Sequence, residues 1–202
     1  MSVEVVDTRC ANIASMISAL GRQGAEARLC QDAETIRKAK QVVLPGVGTF
    51  GAAMSRLKEL SLIEALKERI LKGAPTLCVC VGFQVLFEQS EESSKVAGLG
   101  VFPGKIIHFP TSVRVPQFGW NRIHPQQNDG MLKEGYAYFA NSYCATQAPE
   151  HWAYAKAHHG MDFIAAIEKG AVLGCQFHPE LSSAFGLELL SRWLESSREQ
   201  AC

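Results

Sequence analysis

Three side chains in this sequence have the types and spacing needed to cleave an amide. Cys80 closes a short apolar run, Thr76-Leu77-Cys78-Val79-Cys80, and Val81-Gly82-Phe83-Gln84 follows at once. Far downstream stands Gln176-Phe177-His178-Pro179-Glu180. A strand that ends in Cys, turns sharply and starts a helix resembles a nucleophile elbow with a thiol in place of the hydroxyl. A thiol attacks as its thiolate, so it needs a base, and the base needs a carboxylate to orient it. His178 and Glu180 supply both. Two apart on a strand end, they face the same way, so the carboxylate can fix the imidazole while its other nitrogen meets the thiol. The N-terminal end of the helix after Cys80 would favour the thiolate. The Val81 N–H would receive a tetrahedral oxyanion. A second donor is expected from Pro45-Gly46-Val47-Gly48, where two glycines let a backbone amide turn inward. Cys80, His178 and Glu180, with an oxyanion hole of Val47, Gly48 and Val81, make a Cys–His–Glu amidohydrolase the leading reading.

The elements that must hold these groups are legible in outline. Val3–Val6 reads as a strand. Ile13, Met16, Ile17 and Leu20 make one apolar helix face, terminated near Gly21. Glu26–Cys30 and Gln41–Leu44 read as strands, the latter ending at Pro45-Gly46. Met54, Leu57 and Leu60, then Leu62, Ile63, Leu66 and Ile70, mark helical segments around a break near Ser61. Alternating strands and helices imply βαβ units and a mostly parallel sheet covered on both faces. Ligands gather at the carboxyl ends of such strands, where Cys80 and Pro45–Gly48 both fall. The second half reads as successive strands at Val101–Phe109, Val113–Val115, Tyr136–Tyr143, Tyr154–His158, Phe163–Ile167 and Val172–Phe177, an antiparallel or mixed extension of the sheet. A final helix carries Phe185, Leu189, Leu190, Trp193 and Leu194, with a frayed polar tail after Glu195.

Composition narrows the class. The 202 residues are 47% hydrophobic with a formal net charge of zero, which is one globular domain over 1–202 with a sizeable core. The balanced charge offers nucleic acid no electrostatic footprint. No apolar stretch approaches the ~20 residues of a membrane span. The first residues read as a strand without the basic and apolar regions of a signal peptide, so a cytoplasmic location is expected. The seven cysteines include Cys10, Cys30, Cys144, Cys175 and Cys202 besides Cys78 and Cys80. Apart from Cys80, they read as reduced, buried small hydrophobes. Cys78-x-Cys80 lacks a matching pair at ligand spacing, so no metal is expected. His158-His159 reads as a solvated or satisfied pair, since adjacent strand residues face opposite ways.

The Pro45–Gly48 loop, the Cys80 elbow and Gln176–Glu180 together resemble a class I (triad) glutamine amidotransferase. Within that group the chain is similar to the glutaminase subunit of imidazole glycerol phosphate synthase. The supporting segments are Leu44–Gly51, Val115-Pro116-Gln117-Phe118-Gly119-Trp120-Asn121 and Tyr138–Tyr143, with Gly98-Leu99-Gly100 and Pro103-Gly104-Lys105. The likeness runs from about Asp7 to Leu190. It implies an α/β, flavodoxin-like three-layer sandwich with a central mostly parallel sheet, helices on its flanks and the antiparallel extension in the second half. It also implies glutamine as substrate, no cofactor, and heterodimer formation with a (β/α)₈-barrel cyclase subunit that receives the ammonia. The cyclase uses it to make imidazole glycerol phosphate and an aminoimidazole carboxamide ribotide in histidine biosynthesis. On that resemblance Gly46, Gln84, Asn141, Ser142 and Tyr143 bind substrate, while Trp120 and Asn121 lie at the partner interface.

Some positions depart from the family's usual pattern. Cys78 stands where Gly is usual, Phe83 where Met is usual, Asn141 where His is common and Leu181 where Lys is common. The loop Asp7-Thr8-Arg9-Cys10-Ala11-Asn12 lacks two glycines. Other functions compete with the leading one. A paralogous glutaminase could feed another synthase, for example one amidating a sugar, and a catalytically silent subunit could merely stabilise its partner. A stand-alone cysteine hydrolase would turn over briskly without any partner.

Overall fold

The computed structural model describes residues 2–8, 12–127 and 129–199. Cys10, Cys202 and the middle of the 7–12 loop lie outside them. The elements run β1 (Ser2–Val6), α1 (Ile13–Arg22), β2 (Glu26–Cys30), α2 (Ala33–Lys38), β3 (Val42–Leu44), α3 (Phe50–Glu59), α4 (Ile63–Leu71), β4 (Thr76–Val79) and α5 (Val81–Gln84). They continue with β5 (Phe87–Ser90), β6 (Phe102–His108), β7 (Gln117–Pro125), β8 (Gly135–Asn141), β9 (Tyr143–Cys144), β10 (Ala153–His158), β11 (Asp162–Lys169), β12 (Val172–Cys175) and α6 (Ser183–Glu199).

Nine strands form one sheet in the order β2-β1-β3-β4-β12-β11-β10-β7-β8. The pairings from β2 across to β12 are parallel, and those from β12 to β8 are antiparallel. The first half therefore supplies a doubly wound parallel core and the second half its antiparallel extension, as the residue pattern suggests. Right-handed crossovers put α1 on one face and α2 on the other, because the chain reverses direction across the sheet between them. Contacts of α1 with α6, and of α2 with α4, fit that assignment. A small second sheet, β5-β6-β9, lies alongside.

Local chemistry explains where elements begin and end. Thr49 caps α3 by accepting the Ala52 N–H at 3.2 Å. Ser61, at φ 57°, makes the expected break between α3 and α4. Arg69, buried on α4, donates to the carbonyls of Ile36, Ala39 and Pro75 at 2.8, 2.7 and 2.8 Å, fastening the end of α2 to the start of β4. In the antiparallel half, Phe109, Phe163, Phe139 and Phe177 stack edge to face at 5.1, 5.5 and 5.7 Å. That aromatic row carries packing up to the strand end that bears His178.

The sequence expectation fails at several elements. Val113–Val115 is turn and bend, not strand, because prolines at 110 and 116 bracket it and the Val113 N–H is spent on the Pro110 carbonyl at 3.3 Å. The strand lies just beyond, as β7. The short elements α2 and β5 have no counterpart in the expected pattern. The 136–143 strand breaks at Ser142, whose carbonyl accepts the Phe109 N–H at 3.1 Å, and Tyr143–Cys144 joins the small sheet. The final helix runs on to Glu199, past the expected point of fraying at Glu195.

Candidate active site

Three neighbouring parallel strands, β3, β4 and β12, deliver their carboxyl ends to one place. Cys80 follows β4 with φ 53° and ψ −111°, a backbone conformation that L-residues adopt only when the surroundings enforce it. The enforcement is visible. The Cys80 N–H donates to the Cys175 carbonyl at 2.7 Å, and the Cys80 carbonyl accepts from Phe83 and Gln84, both at 3.0 Å. The β3 loop presses so closely on the elbow that a Cβ on Gly82 would collide with the Leu44 carbonyl oxygen, and one on Gly46 would sit 2.5 Å from the Gly82 nitrogen. These glycines serve close approach of backbones.

The strand end beyond β12 alternates cleanly. Phe177 is buried against Phe139, so Gln176 and His178 point the other way, toward Cys80. His178 Nδ1 lies 2.9 Å from Glu180 Oε1, the two side chains being 5% and 4% exposed. That leaves Nε2 for the cavity, whose wall His178 shares with Cys80. Burial alone would push the imidazole down. The hydrogen bonds and charges of Cys80 and Glu180 outweigh it and raise the histidine from 6.5 to about 10. The backbone of His178 is clamped to β8: its N–H donates to the Tyr138 carbonyl at 2.9 Å, and its carbonyl accepts from Ser182 Oγ at 2.6 Å. The same hydroxyl accepts the Tyr138 N–H at 2.9 Å.

Because α5 is a single turn, its dipole is small, and the helix-end assistance expected from the sequence shrinks accordingly.

A cavity of about 240 Å³ opens on Cys80 and is lined by Val47, Gly48, Val81, Gln84, Asn141, Ser142, Tyr143 and His178 among others. The residues singled out in the sequence for chemistry and substrate thus meet around one small space. Gly46 and Glu180 stand behind it, the first against Val81 and the second against His178. A wider cleft of about 1730 Å³, bordered by Lys72, Trp152, Tyr154 and Lys169, contains none of the triad, so the chemistry selects the smaller cavity.

The oxyanion side has a specific arrangement. The Val81 N–H, expected to be a free donor, points at the Gly46 carbonyl at 3.4 Å. Val47 and Gly48 border the cavity, Gly48 at φ +100°, and among the described residues neither of their N–H groups has a backbone acceptor. On the opposite wall, Tyr143 O accepts from Gln84 Nε2 and Asn141 Nδ2, both at 3.0 Å. Asn141 Oδ1 is buried with no partner among the described residues.

Sequence reasoning misses Glu92, Pro116 and Ala140 in the cavity lining, and any role for Gln176. Glu92 sits in an acidic stretch that looks like solvated surface. Its carboxylate in fact accepts the Phe50 N–H at 2.6 Å, at the start of α3.

Trp120 lies elsewhere, on the β7–β8 ribbon. It is 54% exposed and meets Tyr138 edge to face at 6.0 Å. Phe118 (68%) and Tyr136 (57%) join it on one aromatic face, since Trp120 pairs with Tyr138 and Arg122 with Tyr136. Asn121 faces the other side and donates to the His158 carbonyl at 2.8 Å. The two adjacent histidines are each satisfied: His158 pairs with Asp162 at 2.8 Å, and His159 meets the Arg114 carbonyl at 2.8 Å.

Comparison with known proteins identifies the family. The profile of the family described as Glutamine amidotransferase class-I matches residues 4–195. The chain is 39% identical over 195 residues to a protein of Exiguobacterium sibiricum named imidazole glycerol phosphate synthase subunit HisH, covering 96% of this chain and 95% of that one. A protein of the same name from Oceanobacillus iheyensis is 36% identical over 200 residues, covering 97% and 100%. Among solved structures, one described as a glutamine amidotransferase superposes with a TM-score of 0.77 at 20% identity, covering 97% of this chain and 98% of that one. PurLQS from Thermotoga maritima superposes at 0.73 and 16%, covering 100% and 99%. At such identities the structures speak for the fold, and the profile and sequence relatives speak for descent. The chain belongs to the class-I glutamine amidotransferase family.

Proposed function

We propose that the chain is a glutaminase that hydrolyses glutamine to glutamate and ammonia, as the amide-cleaving subunit of imidazole glycerol phosphate synthase in histidine biosynthesis. The observation that carries the reading is that Cys80 and His178 share the wall of one small cavity, with the imidazole hydrogen-bonded from behind by Glu180. The names of the sequence relatives support the choice of client.

In this reading the Cys80 thiolate attacks the side-chain amide carbon of glutamine. The His178 imidazolium gives its proton to the departing nitrogen, which leaves as ammonia. The neutral imidazole then takes a proton from water, which attacks the glutamyl thioester, and the departing thiolate restores the thiolate–imidazolium pair as glutamate leaves. Glu180 holds the ring and balances its charge throughout. The substrate's ammonium group would face Glu92 and the unpartnered Asn141 Oδ1. Gln84 has already committed its nitrogen, so only its oxygen remains to accept from substrate.

The Gly46–Val47 peptide describes an idle state. Its carbonyl faces the Val81 N–H, and turning that one peptide would free Val81 and swing the Val47 N–H inward together. Ammonia would pass to a (β/α)₈-barrel cyclase docked as a heterodimer on the aromatic face of β7–β8. Trp120 would supply the contact, and Asn121 would fasten the ribbon beneath it. Partner docking is the natural trigger for the peptide turn.

The test is glutamate release by the purified chain, alone and then with a barrel cyclase plus its nucleotide, using Cys80→Ala as control. Strong stimulation that vanishes in the variant is the expected result. Brisk release without a partner would favour a stand-alone hydrolase, and silence throughout with the cognate cyclase would overturn the reading.

A further inference from the structure

Gln176 is fully buried, and its Nε2 lies 3.7 Å from Cys80 Sγ, within hydrogen-bond reach of a sulfur. The acid–base steps of the triad make no use of it. Its orientation is dictated by its neighbours. The Tyr143 carbonyl can only accept, so the Gln84 amide must present nitrogen to it, at 3.0 Å. The same nitrogen has a second proton, and Gln176 Oε1 takes it at 2.9 Å. Gln176 is thereby turned with its oxygen toward Gln84 and its nitrogen toward the sulfur. The relay has one direction: carbonyl, amide, amide, sulfur.

Gln176 aims an N–H at Cys80, and His178, two apart from it on one strand end, lines the same cavity as the sulfur. A thiol has a proton of its own to place, whereas a sulfur that receives an N–H beside an imidazolium is matched to its anionic form. We propose that Gln176 is a positioning residue that holds Cys80 as an oriented thiolate, its amide locked nitrogen-first by Gln84 and the Tyr143 carbonyl. With α5 only one turn long, this amide takes over part of what a longer helix end would contribute. The proposal rests on Cys80 being the nucleophile, and the test separates the two.

The rate of Cys80 alkylation by iodoacetamide is followed against pH by mass spectrometry of the Cys80 peptide, in the wild-type chain, Gln176→Leu and Gln176→Met, with Cys80→Ala as blank. Both replacements keep the bulk and remove the donor. A charge-assisted hydrogen bond is worth enough to slow alkylation at neutral pH by about tenfold on its loss. kcat for partner-stimulated glutamate release should fall while KM for glutamine changes little. A purely structural role would lower activity or melting temperature and leave the alkylation profile in place, and that result overturns the proposal. The wild-type chain provides a readout that does not depend on either variant folding. The Gln176 side-chain amide resonance should titrate with the Cys80 alkylation midpoint in ¹⁵N–¹H spectra and stay fixed in Cys80→Ala, and a resonance that ignores pH counts against the bond. If wild-type Cys80 resists alkylation throughout, or glutamate release survives Cys80→Ala, the nucleophile assignment itself fails and takes this proposal with it.

Discussion

A buried imidazole between a sulfur and a carboxylate keeps its proton far into the alkaline range. Burial opposes the charge on His178, and Cys80 and Glu180 more than offset it, so the folded histidine titrates at about 10 against an ordinary 6.5. Stability from this proton is fully present below about 6.5 and is lost as pH rises through about 10, because in that window the folded chain holds a proton the unfolded chain has released. Replacing Glu180 with Gln removes one of the two supports, along with the negative charge that stabilises the imidazolium. Two outcomes are expected: the decline of melting temperature between those pH values becomes shallower, and kcat falls on the order of 10⁴-fold, the scale seen when a triad carboxylate becomes an amide. A pH series of thermal melts and a steady-state assay with partner check them. An unchanged pH slope would mean that Glu180 does not support the charged ring. The triad is legible in the sequence because its members lie in two short motifs. The Tyr143–Gln84–Gln176–Cys80 relay is not, although three of its members lie in the same two motifs, because a residue pattern does not say which way a buried amide is turned.

At the scale of elements, legibility follows length and the direction of the apolar face. The helices whose apolar residues recur at three- and four-residue steps can be read directly. Six-residue α2 cannot, because it is too short for a period and depends on Asp32, which accepts the Thr35 N–H at 2.7 Å. Strand β7 escapes for a different reason: its large apolar residues, Phe118 and Trp120, point to solvent, and Gly119 between them reads as a turn. What anchors α2 is Arg69, a buried guanidinium with three short bonds to carbonyls; burial lowers it to about 10. Arg69→Ala would leave those carbonyls unpaired beside a cavity, at a cost of about 3 kcal/mol or more. Urea unfolding should show a lower midpoint with an unchanged slope, while the alkylation rate of Cys80 in the folded chain stays at the wild-type value. A midpoint within error of wild type would show that water replaces the guanidinium without penalty.

For the molecule as a whole, the proposed function gives holding a partner and answering it to different residues, and two substitutions should pull these apart. Phe118, Trp120 and Tyr136 form an exposed aromatic face on the β7–β8 ribbon, the kind of surface whose central aromatic dominates binding. The ribbon is tied directly to the strand end that bears His178, through the His178 N–H on the Tyr138 carbonyl and through the Ser182 hydroxyl. Trp120→Ala should weaken cyclase binding by about 30-fold, the equivalent of a 2 kcal/mol hot spot, yet saturating cyclase should restore most of the stimulated rate. Val47→Pro does the reverse. It removes one backbone N–H on the cavity side of the loop, at a residue that is not part of the aromatic face, and should leave the binding constant intact. At saturating partner it should cost about 100- to 1,000-fold in glutamate release, the worth of one oxyanion donor. Titrating cyclase against each variant at saturating glutamine reads both quantities from one curve, its midpoint and its plateau. If Val47→Pro kept the wild-type plateau, the Val47 amide would not be the donor, and the carbonyl of Gly46 against Val81 would be a permanent feature of the elbow and no idle state. If Trp120→Ala lowered the plateau and left the midpoint alone, the aromatic face would be part of the trigger itself, acting through Tyr138 on the position of His178.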